Sequence, residues 1–179
     1  MKSAIEQLST YKSVHLNPTN IKTHFVGIPL IIWAAFVMLN SIPVTFLTHE
    51  PSGLVFNVAG LFTVCVLLYY FVLHARLALG LMLFILPVLY TSYLVSLQDQ
   101  AWPIAISIFV IGWIFQLIGH KYEKAKPAFI DDLNQLLIGP FFLMAELYFM
   151  LGLEKELDKA ITPLAIEKRR ALTHATKGG

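Results

Sequence analysis

The side chains able to do chemistry in this chain are histidines and a few acids set against long apolar runs. His120 closes the run Gly112-Trp113-Ile114-Phe115-Gln116-Leu117-Ile118-Gly119, and Lys121, Glu123 and Lys124 follow at once. His15 opens the turn His15-Leu16-Asn17-Pro18-Thr19-Asn20, and His24 falls in the first turns of the next helix. His15 and His24 could therefore converge, and His120 would join them from a different helix, as ligands in helical bundles do. Imidazole suits iron, zinc, copper or nickel. Glu123 shares a helix face with His120 if the helix continues. It could bind a metal, or accept an imidazole N–H and so fix the tautomer. Gln116 lies one turn before His120 and could hydrogen-bond to it. Glu146 is an acid inside an apolar segment, which is costly unless it is paired. Gln116, Glu123 and Glu146 are the candidate catalytic residues, and His15, His24 and His120 the candidate metal ligands. Each also has a plainer reading: a histidine at a helix end can simply cap it, and Glu146 can pair with a lysine or a backbone group.

The elements that must position these residues are membrane helices. Apolar residues make up 57% of the 179 and charged residues 13%, against roughly 45–50% and about 25% in soluble domains. No Lys or Arg occurs between Lys22 and Arg76, or between Arg76 and Lys121. The two gaps read as pairs of spans, expected at about 25–47, 54–74, 77–96 and 101–119. A shorter apolar helix is expected over 136–153, broken by Gly139-Pro140 and returning to the side it left. The expectation is thus an all-α, multi-pass bundle: one membrane-embedded domain over 1–153, then a charged, solvated tail over 154–179.

Basic residues set the orientation. Lys2, Lys12 and Lys22 precede the first span, Arg76 joins the second and third, and Lys121, Lys124 and Lys126 follow the fourth. Both termini and the 74–77 turn are expected on the cytoplasmic face, with His15, His24, His74 and His120. That membrane would be the inner membrane of a bacterium or the endoplasmic reticulum of a eukaryote. His74 reads best as a helix-end residue facing headgroups, and His49 lies on the opposite face. Asn20 is expected to cap the first span.

Several classes are disfavoured. A net charge of +2 gives no basic surface for nucleic acid, and the single cysteine, Cys65, excludes a disulfide framework within the chain and a cysteine-based zinc site. The polar first 20 residues lack the hydrophobic region of a signal peptide. There is no Gly-x-Ser-x-Gly, phosphate loop or dinucleotide fingerprint. The clustered histidine boxes of membrane di-iron enzymes are also absent, which favours a single metal ion.

Two blocks carry a resemblance. The first is His15-Leu16-Asn17-Pro18-Thr19-Asn20 with His24, Gly27 and Pro29. The second is Gly112-Trp113-Ile114-Phe115-Gln116 with Gly119-His120, then Lys124, Pro127-Ala128, Asp131, Pro140 and Glu146. Together they resemble the family of small membrane proteins typified by the yeast 2-hydroxy fatty acid dioxygenase. The resemblance implies an iron(II) enzyme that oxidises a 2-hydroxy fatty acid with O2. The products are a fatty acid one carbon shorter and carbon dioxide, an α-oxidation that needs no 2-oxoglutarate. It implies His15, His24 and His120 as iron ligands and leaves His74 outside the motif. The family pattern has one residue more between the second-block histidine and its glutamate than separates His120 from Glu123. The expected partners are the 2-hydroxy acid, O2 and membrane lipid, with Lys22, Lys121 or Lys124 available to attract the carboxylate or to anchor the helix ends. The alternatives are another lipid-directed metalloenzyme, a zinc hydrolase or a hydroxylase, and a membrane transporter or scaffold without enzymatic activity.

Overall fold

A computed structural model describes residues 2–42, 57–130 and 132–177. Among them are seven α-helices and no strand: α1 (Ala4–Ser13), α2 (Pro18–Asn40), α3 (Val58–Leu73), α4 (Ala75–Ser96), α5 (Ala101–Glu123), α6 (Gln135–Met150) and α7 (Lys155–Lys177), with a 3-10 turn at Ala128–Ile130. Three of these, α2, α4 and α5, are long and apolar enough to cross a membrane, at 23, 22 and 23 residues. The described parts of the second expected span and of the 136–153 helix are shorter, 16 residues each in α3 and α6. His49 and the adjoining ends of the first two spans lie outside the described residues, as does Asp131.

The chain divides into two units, Met1–Phe25 with Gln116–Gly179, and Val26–Phe115. The second unit is the apolar one. Phe36, Ala59 and Leu89 form one buried cluster and Val37, Ala101 and Ala105 another. Two side-chain bonds tie α2 to α4: Trp33 Nε1 donates to Thr91 Oγ1 at 3.0 Å and Asn40 Nδ2 to Ser92 Oγ at 3.1 Å. Gly112 lets α5 come close to α2, since a Cβ there would lie 2.7 Å from Ile31 Cγ1. The outer faces stay apolar, with Leu68, Val72 and Leu83 more than 60% exposed. Contiguous apolar exposure on this scale suits lipid rather than water.

The first unit holds the polar helices α1 and α7 together with the apolar α6. The Ser3 side chain caps α1 by accepting from Glu6 N. α2 starts earlier than expected: the Asn17 side chain accepts from Thr19 N at 2.8 Å, and Pro18 takes the first helical position, where its missing N–H costs nothing. Asn20 is therefore inside the helix and fully buried, not its cap. α1 packs against α6 and α7. Leu157, Ile161 and Ala165 are buried at i, i+4 and i+8, so the segment expected as a solvated tail has an apolar stripe that docks. Lys12, in α1, donates to Glu146 of α6 at 2.7 Å and to Asp158 of α7 at 3.4 Å, which fixes the three helices together.

Candidate metal centre

His15, His24 and His120 come together. They are 1%, 1% and 8% exposed, and one nitrogen from each lies within 4.8 Å of the others. His15 is carried by the turn between α1 and α2, His24 by the second turn of α2, and His120 by the last turn of α5. Gly119 makes the approach possible. A Cβ at that position would collide with Thr23 Oγ1 and Asn20 Oδ1 and press to 3.3 Å of His24 Nδ1.

The hydrogen bonds fix two of the three tautomers. His15 Nδ1 lies 2.7 Å from the Tyr11 carbonyl, and His24 Nδ1 lies 2.9 Å from the Asn20 carbonyl. A carbonyl can only accept, so both Nδ1 atoms carry the proton and both Nε2 atoms present a lone pair. Those two Nε2 atoms face each other at 3.0 Å. Two acceptors at that separation repel unless a cation lies against both. A shared proton would put an imidazolium in a buried site, and burial, followed by the neighbouring His24, already holds the His15 ring well below its ordinary range. A metal ion satisfies both lone pairs. His120 Nδ1 is buried and has no hydrogen-bond partner. The donor set thus fits a metal that favours imidazole.

Tyr11 braces the site by stacking on His15, with ring centroids 4.1 Å apart and planes within 2°. Phe142 packs against both rings, 4.9 Å from Tyr11 and 5.6 Å from His15.

Of the three acids and amides expected to be catalytic, each has a different setting. Glu123 is 6% exposed. Its oxygens accept from Leu16 N at 3.2 Å, Asn17 N at 2.8 Å and Asn20 Nδ2 at 3.2 Å, with Arg169 Nη2 3.6 Å away. It is a clamp on the turn that carries His15. Gln116 is 6% exposed, and its Nε2 is buried with no hydrogen-bond partner, one turn from His120. Glu146 is occupied by Lys12. His74 is not in the cluster and sits between α3 and α4.

The sequence did not single out Asn20 or Arg169 as site residues. Asn20 Nδ2 joins the Val14 carbonyl at 3.3 Å to Glu123. Arg169 Nη2 donates to the Glu123 carbonyl at 2.8 Å, and Nη1 lies 3.5 Å from the Ser13 carbonyl. The available signal for Arg169 was the apolar spacing of Leu157, Ile161 and Ala165, which orients α7 against α1.

The sequence profile described as 2-hydroxy-palmitic acid dioxygenase Mpo1-like matches residues 1–151. The 2-hydroxy-palmitic acid dioxygenase MPO1 of Saccharomyces cerevisiae is 34% identical over 148 residues, covering 82% of this chain and 80% of the yeast protein. No solved structure matches the chain.

Proposed function

The chain belongs to the Mpo1-like family of 2-hydroxy-palmitic acid dioxygenases, and on that premise we propose that it is an iron(II)-dependent dioxygenase of 2-hydroxy fatty acids. The reaction balances without a second reductant: one 2-hydroxy acid and one O2 give a fatty acid one carbon shorter, carbon dioxide and water. His15, His24 and His120 would hold the iron, which would supply redox chemistry and open positions for acid and O2. The observation that carries the reading is the pair of Nε2 lone pairs facing at 3.0 Å inside a buried three-histidine cluster.

The chain's own groups have separable tasks. The Tyr11 and Asn20 carbonyls hold the His15 and His24 tautomers. Glu123 holds the His15 turn, so it acts through the ligand rather than as one. Gln116 has a buried amide N–H group with no acceptor among the described residues, which suits it to donate to an oxygen of bound substrate. The apolar exposure of α3 to α5 suits an acyl chain arriving from the bilayer. The distribution of basic residues supports a multi-pass reading with both termini and the cluster on the cytoplasmic side.

The test is product analysis. Protein purified anaerobically and loaded with iron should convert 2-hydroxypalmitate under O2 to the acid one carbon shorter, with matched release of carbon dioxide. An intact, iron-loaded protein that consumes no O2 with this acid would overturn the assignment.

A further inference from the structure

The first unit contains a cavity bordering the histidine-bearing segments. It has a volume of about 290 Å³, and its walls include Lys124, Lys126 and Arg169 together with Val14, Ala125 and Leu172. No carboxylate lines it. The walls are the segments that carry two of the histidines. Val14 precedes His15, Lys124 N donates to the His120 carbonyl at 3.0 Å, and Arg169 reaches the Ser13 and Glu123 carbonyls. The Glu123 carboxylate is committed to Leu16, Asn17 and Asn20. Lys124 is exposed, and its ammonium has no hydrogen-bond or ion-pair partner among the described residues.

Lys124 is also held in an unusual backbone conformation, with φ +55°. It follows α5 in the left-handed position that ends many helices, where glycine is the residue without a steric cost. A lysine there strains the backbone, which is compatible with a use for its side chain. The cavity joins cations to apolar walls. Its volume is at the small end of ligand cavities, about 300–1,000 Å³, enough for a head group and its first carbons rather than a whole long-chain acid.

We infer that this cavity is the capture subsite for the carboxylate of the entering fatty acid, with Lys124 as its selecting cation. The inference rests on the 2-hydroxy acid reading above. The subsite favours the free acid over neutral derivatives and sets the concentration at which it enters. The oxidation itself belongs to the histidine cluster.

The experiment measures kcat, KM and bound iron for Lys124→Gly, Lys124→Met and the Lys124→Met/Lys126→Met pair. The protein is reconstituted in phosphatidylcholine vesicles, with and without phosphatidylserine. In phosphatidylcholine alone, KM for 2-hydroxypalmitate should rise about threefold in each single variant and about tenfold in the pair, with kcat and iron content unchanged. Lys124→Arg should restore the wild-type KM. Lys124→Gly relieves the left-handed strain, so its thermal midpoint should match or exceed wild type while KM rises, which separates the cation from the fold. An unchanged KM in phosphatidylcholine overturns the inference, as does a rise only when phosphatidylserine is present, which would assign the cavity to a lipid headgroup. If the wild-type protein oxidises no 2-hydroxy acid, the functional reading fails by itself. Equilibrium binding of 2-hydroxypalmitate then decides the cavity: about tenfold weaker binding by the pair variant sustains it, and equal binding overturns it.

Discussion

Replacing Glu123 with glutamine should destabilise the protein even when no metal is bound. The carboxylate accepts from Leu16 N, Asn17 N and Asn20 Nδ2, and is 6% exposed. A glutamine keeps one oxygen. Placed where Glu123 Oε2 sits, that oxygen retains Asn17 N and Asn20 Nδ2 and turns the amide NH2 toward Leu16 N–H. A buried donor without an acceptor costs about 1–3 kcal/mol. The two retained bonds lose their charge assistance, about 1 kcal/mol more between them. Arg169 adds little, because it is partly exposed and 3.6 Å away. The sum is about 3 kcal/mol, or roughly 6–12 °C in the unfolding midpoint of a protein this size. The same loosening of the His15 turn should weaken metal binding about 10–100-fold. The assay is thermal unfolding in detergent after exhaustive chelation, followed by iron titration. A clamp predicts the loss of stability in the chelated protein. A glutamate that served only as a metal ligand would leave the chelated protein as stable as wild type. That result would refute the reasoning.

Three further outcomes follow from the same geometry. Gly119→Ala should drive α2 from α5, with a cost of about 1–3 kcal/mol from overpacking and a drop in bound iron measured by mass spectrometry. Lys12→Met should cost about 3 kcal/mol, because it leaves the largely buried Glu146 without its cation, and Lys12→Met/Glu146→Leu should recover most of the loss in a thermal melt. His24→Ala should insert and fold, yet retain no stoichiometric iron, and oxidise 2-hydroxypalmitate no faster than buffer does.

The parts of this molecule legible in its sequence were those written in local patterns. The gaps between Lys22, Arg76 and Lys121 announce apolar spans, because charge in lipid is excluded whatever the packing. His15, His24 and His120 could be picked out because imidazoles are few and stand at helix borders. Other features depend on groups distant in sequence. Glu123 is committed by backbone N–H groups of a turn more than a hundred residues away, and no spacing rule foretells that. Lys12, in a short polar helix, is buried only because Glu146 and Asp158 arrive from α6 and α7. The docking stripe of α7 was present as Leu157, Ile161 and Ala165, but masked by the alternating charges around it. Asn20 was expected at a helix start because asparagine favours caps. Asn17 with Pro18 makes a better start and releases Asn20 to the site.

The most direct test of the central claim is the iron content of anaerobically purified protein, wild type beside His120→Ala. The wild type should hold about one iron per chain and the variant should lose most of it, with both proteins equally inserted. Full retention of iron by His120→Ala would contradict it.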